Sequence, residues 1–182
     1  MIYILVALKG ELPEHNLDPE KFKVWYTGVG KVNATISATI AANQSDCERI
    51  INFGTAGTLA PELAGKLFEI GAVRQRDMDA RPQAPLGMTP FEQTSIAGDI
   101  TLNKENKVVL STGDNFVTEQ PELRSHLVDM EGYAIAKVGQ TFGKPTTLIK
   151  YASDMADEDA PKTWEQNQAD GAELFLKLLE DI

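Results

Sequence analysis

The sequence contains only one cysteine, Cys47, among its 182 residues. A single thiol excludes an internal disulfide and is typical of proteins from a reducing compartment, so we expect a cytoplasmic protein. Cys47 lies between Asp46 and Glu48. Because neighbouring negative charge disfavours the thiolate, this environment predicts a raised pKa and a poor nucleophile.

Long apolar runs are also absent, since no run in the chain approaches the roughly 20 residues that span a bilayer. The apolar segment 1–7 has neither a basic start nor a cleavage site, so we expect a first strand rather than a signal peptide. No membrane partner is therefore predicted.

Positive charge is scarce. The chain has 17 Lys and Arg against 27 Asp and Glu, a net charge of −10. Without a basic cluster to neutralise phosphates, a nucleic-acid partner is not expected, whereas a small and nearly neutral ligand is compatible with this charge. The length and the 42% of hydrophobic residues suit one domain with a sizeable core, covering residues 1–182.

Apolar strand-like runs alternate with helical patterns along the chain. The pattern predicts helices at 31–43, 131–142 and 163–181, and strands at 2–8, 23–27, 48–53, 67–73, 108–112 and 146–152. This alternation predicts a three-layer α/β sandwich with a central, mostly parallel mixed sheet. In the first helix, Val32, Ile36 and Ile40 form one apolar stripe.

Three polar residues lie just beyond predicted strand ends: Glu11, Thr55 and Asp154. Ligands in such folds bind at the carboxyl ends of strands, so these residues could converge. Glu11 is either a solvated loop charge or a base for a water molecule. Asp154, after Ser153, is either a helix N-cap or an acid whose pKa is raised by a partly dry pocket.

Two more residues have a dual interpretation. Glu131 opens a predicted helix, where it is either first-turn charge favoured by the helix dipole or an acceptor for sugar hydroxyls. Phe116, in a polar turn, either packs in the core or stacks on an aromatic base.

Two other patterns match neither a cofactor-binding nor a metal-binding motif. The turn Gly28-Val29-Gly30 lacks the third glycine of a dinucleotide fingerprint, because position 33 is Asn, and it predicts a strand-to-helix turn. The acidic run from Asp154 to Asp159 lacks the alternate ligands and central glycine of a calcium loop. His15 and His126 have no partner at ligand spacing.

Taken together, these segments resemble the nucleoside phosphorylase and nucleosidase superfamily, most closely the 5′-methylthioadenosine/S-adenosylhomocysteine nucleosidases. The matching blocks occur in the family's order over nearly the whole chain: Ala7 to Glu11, Gly28 to Val32, Asn52 to Gly57, Ser111 to Asp114, Asp129 to Gly132, and Ser153-Asp154. The resemblance implies a phosphorylase/hydrolase-like fold, a purine nucleoside as substrate, and no metal or organic cofactor.

The resemblance also implies a role for each matching residue. Asp154 would protonate N7 of the purine, Glu11 would activate water, and Glu131 would hold the ribose hydroxyls. Protonating the base and placing negative charge near the sugar suit an oxocarbenium-like transition state. The substrate-binding residues implied are Phe116 and Val117 at the base, Met130 beside the sugar, Ser153 behind Asp154, and Thr55, Ala56 and Gly57 on the ribose and water side.

Hydrolysis is favoured over phosphorolysis, since no arginine lies in the turns at 28–31 and 54–57 and the charge of Glu11 would repel phosphate. A purine nucleoside phosphorylase and a degenerate nucleoside-binding domain are the alternatives. The segment between Gly71 and Asp114, which in the family helps form the 5′-substituent pocket and the dimer contact, is shorter than in relatives. Because the chain is shortened and has an irregular loop at 74–95, we expect a homodimer in which a neighbouring copy closes the site. Lys150 stands where many relatives have Arg, and it keeps the charge without planar bidentate bonding.

Overall fold

The strands form one mixed sheet in the computed structural model, which describes residues 1–13, 15–92, 98–155, 167, 169–180 and 182. Nine strands lie in these ranges: β1 Ile2–Val6, β2 Phe22–Tyr26, β3 Arg49–Thr58, β4 Leu67–Glu69, β5 Ala72–Gln75, β6 Ile100–Thr101, β7 Val109–Thr112, β8 Leu127–Asp129 and β9 Thr146–Met155. The α-helices described are α1 Lys31–Ala42, α2 Gly132–Thr141 and α3 Gly171–Leu179.

Strand β3 lies at the centre of the sheet and changes partner along its length. It pairs in parallel with β1 as far as Phe53 and with β9 along nearly its whole length. At its C-terminal end, Gly57 and Thr58 pair with β8 in antiparallel orientation. The sheet therefore divides on one side of β3, between the end of β1 and β8.

Alternate side chains of the central strands enter two separate cores. Tyr3 and Leu5 of β1 pack on the face covered by α1 and α2, whereas Ile4 and Val6 pack on the face covered by α3. On the second face, Phe53 stacks on Phe175 of α3 with ring centroids 4.1 Å apart. Helices on both faces of a mixed, largely parallel sheet confirm the predicted three-layer sandwich.

The apolar stripe of α1 faces solvent rather than the core. Val32, Ile36 and Ile40 are 70%, 55% and 49% exposed, while the buried side of the helix consists of Ala34, Ala38, Ala41 and Ala42. Small side chains allow α1 to pack closely against the sheet and α2. The sequence pattern correctly placed these three residues on one face of the helix, but the chain's own core does not bury that face.

Several predicted boundaries were wrong for identifiable reasons. The glycine-containing segment 54–57 is not a turn, because β9 pairs with it residue by residue and keeps it extended. The predicted strand 67–73 is two strands, since the chain leaves β9 after Glu69 and joins β7 from Ala72. The break falls at Gly71, where an added Cβ would lie 2.0 Å from a backbone oxygen. Strands β6 and β8 were not predicted.

The C-terminal part also differs from its prediction. Strand β9 continues to Met155, so Asp154 lies inside a strand and not at a helix N-cap. Thr55 likewise lies within β3 rather than beyond it. Helix α3 begins at Gly171, and residues 163–166, 168 and 181 of the predicted helix lie outside the described residues. Phe175 is buried there, whereas Leu178 and Ile182 are exposed.

Candidate active site

A cleft opens beside β3, in the gap between the end of β1 and the end of β8. It has a cavity volume of about 110 Å³. Its walls come from the loops after β1 and β2, the part of β3 between β1 and β8, the segments after β5 and β7, the end of β8 and the end of β9. The lining residues are Ala7, Leu8, Glu11, Val29, Thr55, Ala56, Gly57, Arg76, Asn115, Phe116, Val117, Val128, Asp129, Met130, Glu131 and Asp154. Nine of the ten predicted site residues are in this set, and Ser153 is adjacent to it.

Glu11 is held rigidly at the bottom of the cleft. Its Oε1 accepts hydrogen bonds from the Thr55 backbone N–H and hydroxyl, both at 2.7 Å, and its Oε2 accepts one from the Leu8 N–H at 3.0 Å. The side chain is only 3% exposed, so it is not a solvated loop charge. A Cβ at Gly54 would lie 3.1 Å from Oε1, which explains why glycine occupies this position.

A β-bulge sets the direction of Asp154. The pairing of β9 with β3 shifts by one residue after Ala152, so Ser153 is the extra residue and Asp154 lies opposite Gly57. Bulges of this kind redirect side chains beside active sites. The Ser153 hydroxyl donates to Asp154 Oδ2 at 2.7 Å, and both residues are buried. The structure thus gives Asp154 a hydroxyl partner and a place in the cleft wall.

Glu131 caps no helix with its side chain. It is the residue before α2, but its Oε1 accepts the Gly30 backbone N–H at 2.8 Å across the cleft. Burial, followed by the negative charge of Asp129, raises the pKa of Glu131 to about 7, although Lys150 and the Gly30 N–H act in the opposite direction. The glycine turn therefore serves a carboxylate of the protein, with Gly30 at a φ of 91°.

A buried ion pair lies behind Glu131. Lys150 Nζ is 2.9 Å from Asp129 Oδ2, and both side chains are 1% exposed. Asp129 also accepts hydrogen bonds from the Thr112 hydroxyl and the Gly132 N–H. Burial lowers the pKa of Lys150, but the charges of Asp129 and Glu131 outweigh it and the pKa is raised. A buried pair satisfied in this way fixes the segment that carries Glu131.

The base side of the cleft is more apolar. Phe116 is 52% exposed and lines the opening, so it is not a core residue. Val117 is buried next to it, and Met130 is half-buried on the opposite wall. An aromatic face at the opening with carboxylates deeper inside suits a flat, polar-edged ligand.

Sequence reasoning missed Arg76, which is buried in the cleft wall and donates to four backbone carbonyls. Its position directly after a strand end was the available signal, but the strand boundary itself was misplaced. Lys31 also contacts the segments that follow β5 and β7. Its Nζ lies 2.6 Å from Asp77, and its backbone N–H donates to Asp114. Burial raises the pKa of Asp77, but the hydrogen bonds from Lys31 and from the Asp114 N–H outweigh it, so the pKa is lowered.

The remaining sequence candidates lie elsewhere. Burial raises the pKa of the Cys47 thiol, with Asp46 adding to the effect. His126 Nδ1 accepts the Val109 N–H, and His15 is exposed. Asp157 to Asp159 lie outside the described residues, and within those residues no group of three metal-binding side chains occurs. None of the described helices is long and apolar enough to cross a membrane.

Comparison with known proteins identifies the family. A family model described as the phosphorylase superfamily matches residues 20–182. A 5′-methylthioadenosine/S-adenosylhomocysteine nucleosidase from Marinomonas sp. is 32% identical, over 86% of this chain and 78% of that protein. An aminodeoxyfutalosine nucleosidase from Helicobacter pylori is 29% identical, over 87% and 79% respectively.

Solved structures agree with the sequence comparison. The 5′-methylthioadenosine/S-adenosylhomocysteine nucleosidase from Helicobacter pylori with butyl-thio-DADMe-Immucillin-A has a TM-score of 0.82 and 25% identity, over 99% of this chain and 96% of that chain. The native futalosine hydrolase of Helicobacter pylori shares the fold, with a TM-score of 0.84 and 24% identity, over 98% of this chain and 95% of that chain. The chain belongs to the phosphorylase superfamily, and the resemblance to nucleosidases is confirmed.

Proposed function

We propose that this enzyme, whose relatives include nucleosidases, hydrolyses the N-glycosidic bond of purine nucleosides of the 5′-methylthioadenosine/S-adenosylhomocysteine type. The residues proposed to carry the reaction are Glu11, Glu131 and Asp154. The observation that carries this assignment is that these three carboxylates, with exposures of 3%, 6% and 6% in that order, line one cleft together with Asp129, a fourth buried carboxylate that is paired with Lys150. Buried carboxylates are costly unless they are paired, so their concentration at one opening favours a reactive site.

Asp154 is the proposed general acid. A proton delivered to N7 makes the purine a neutral leaving group, and positioned acid–base groups typically contribute about 10²–10⁴-fold in rate. The Ser153 hydroxyl, which donates to Oδ2, fixes the orientation of the carboxyl group. The proton moves from the Asp154 carboxyl to N7 while the bond between the base and the sugar breaks.

Glu11 and Glu131 act on the sugar side. Glu131, anchored by the Gly30 N–H, accepts hydrogen bonds from the ribose hydroxyls and places negative charge near the developing cation. Glu11 orients water and takes its proton when the water oxygen attacks the sugar carbon. Its three hydrogen bonds from Thr55 and Leu8 hold the carboxylate in place before the substrate arrives.

Water rather than phosphate is the proposed nucleophile, because the usual phosphate donors are already engaged. The Gly30 N–H donates to Glu131 and the Lys31 N–H donates to Asp114, so this turn presents no open pair of amides to an anion. All four Nη hydrogens of Arg76 bind carbonyls. The negative charge of Glu11 adds a repulsive contribution.

The homodimer and the cytoplasmic location stay parts of this proposal. The stripe of Val32, Ile36 and Ile40 is exposed, and α1 begins directly after the turn that contains Val29 at the cleft. A second copy covering the stripe would lie beside the opening, near the region expected to bind the 5′-substituent. Sedimentation equilibrium at micromolar concentration should give a dimer for the wild type and a monomer for Ile36→Glu. A wild-type monomer contradicts the dimer.

Asp154→Asn tests the proposed acid. The variant should fold with a melting temperature close to that of the wild type. Its rate of adenine release from methylthioadenosine should fall by at least about 10²-fold. Asp46→Asn, which alters an exposed carboxylate paired with Lys23, is the matched control and should keep full activity. Wild-type turnover by Asp154→Asn would exclude Asp154 as the acid.

A further inference from the structure

One buried arginine connects the two walls of the cleft. Arg76 follows β5 directly, and its N–H donates to the Thr112 carbonyl, which continues the pairing of β5 with β7. Its Nη1 donates to the carbonyls of Ser111 and Asp129, each at 2.7 Å. Its Nη2 donates to the carbonyls of Gly113 at 3.1 Å and Asn115 at 2.6 Å.

These carbonyls belong to the two segments that carry the substrate-facing residues. The Asn115 carbonyl immediately precedes Phe116 on the base side, and the Asp129 carbonyl lies two residues before Glu131 on the sugar side. Building on the function proposed above, we propose that Arg76 is a positioning residue that fixes the base-binding segment relative to the sugar-binding carboxylate. It acts on both through the backbone and contacts neither reacting bond.

The structure argues against the usual alternative, an arginine that binds an anion. Each Nη carries two hydrogens, and the four bonds to carbonyls use all of them. The guanidinium is also packed against backbone, because a Cβ at Gly113 would lie 3.0 Å from Arg76 Cζ. The fifth donor, Nε, has no partner but is buried, so the group has no open fork for phosphate or carboxylate.

Only a planar fork suits this position. A lysine has three donors on one nitrogen and cannot reach carbonyls of both segments in the same geometry. The buried cation, whose pKa is lowered by burial against the opposing effect of Asp129, is costly to retain. A structural connection alone would not require a charge in the wall of the cleft, whereas rigid alignment of two substrate-binding segments benefits from strong charge-assisted bonds.

Three variants test this role. Arg76→Met removes the donors while filling the space, Arg76→Lys keeps the charge without the fork, and Gly113→Ala displaces the fork without changing it. Arg74→Met is the matched control, because Arg74 lies two residues earlier, within β5, and binds the Arg124 carbonyl and Asp99 away from the cleft. Each variant is assayed at a temperature where denaturation curves show it folded.

Two measurements separate positioning from stability. Adenine affinity by titration calorimetry reports the base side alone, and kcat and KM for methylthioadenosine report the aligned site. We expect Arg76→Lys and Gly113→Ala to bind adenine about tenfold more weakly and to lose on the order of 100-fold in kcat/KM, chiefly in kcat. Arg74→Met should lose stability and keep both constants.

The outcomes are distinct. If folded Arg76→Lys and Gly113→Ala retain wild-type adenine affinity, kcat and KM, the positioning role is wrong, and this holds even if Arg76→Met does not fold. If the wild type binds adenine but cleaves no nucleoside, the hydrolase assignment fails alone. The ratio of adenine affinities between variant and wild type would then still decide the role of Arg76.

Discussion

The raised pKa of Glu131 means that its ionisation lowers the stability of the folded protein, and this loss can be measured from the pH dependence of the free energy of unfolding. Its pKa is raised from 4.5 to about 7 by burial and by the charge of Asp129. Between these two values the folded protein keeps a proton that the unfolded chain has released. The unfolded state therefore binds fewer protons, and the free energy of unfolding falls as the pH rises through this window.

The size of this effect follows from the shift. Each pKa unit corresponds to about 1.4 kcal/mol, so the ionised group destabilises the folded protein by about 3 kcal/mol above pH 7. Glu131→Gln removes the ionisation, and a glutamine Oε1 can still accept the Gly30 N–H. The variant should therefore be more stable than the wild type at pH 8, by up to about 3 kcal/mol, and nearly equal to it at pH 5.

Urea denaturation at pH 5 and pH 8, followed by tryptophan fluorescence, measures this difference. The exposed carboxylate of Glu119 provides the matched control, and Glu119→Gln should show no such change between the two pH values. Purine release by Glu131→Gln should be strongly reduced, because the proposed acceptor for the ribose hydroxyls has lost its charge. A stability difference from the wild type that is the same at both pH values would refute the reasoning.

Two other substitutions probe the groups around the cleft. Lys150→Met leaves Asp129 as a buried charge without its cation and should lower the free energy of unfolding by about 3–5 kcal/mol in the same urea assay at neutral pH, with an unchanged value contradicting the ion pair. Gly54→Ala places a methyl group 3.1 Å from Glu11 Oε1, so initial-rate measurements should show a reduced kcat with a smaller change in KM, and wild-type kcat would contradict the role of Glu11.

Much of the fold could be predicted because its elements follow simple patterns. Buried strands such as Ile2–Val6 are continuous apolar runs, and the strand-to-helix turn at Gly28–Gly30 has the expected glycines. The predictions failed where tertiary pairing overrides local signals. The glycines of β3 stay extended because β9 covers them, and β8 was too short to recognise.

The site was predictable in its composition but not in its geometry. The resemblance implied roles for Glu11, Glu131 and Asp154, and the structure brings all three to one cleft. Nothing in the local sequence indicated that Arg76 would bind four carbonyls, since those acceptors belong to two segments that lie 35 to 53 residues further along the chain. The outward direction of the stripe on α1 also depends on packing, because Ala34 and Ala38 allow the closer approach.

Quantifying free base from methylthioadenosine with and without phosphate tests the central claim most directly. Hydrolysis predicts adenine release at the same rate in both conditions, with a free sugar as the second product. S-adenosylhomocysteine, adenosine and inosine in parallel would rank the substrates. Adenine release that requires phosphate and yields a sugar 1-phosphate would contradict the account and identify a phosphorylase.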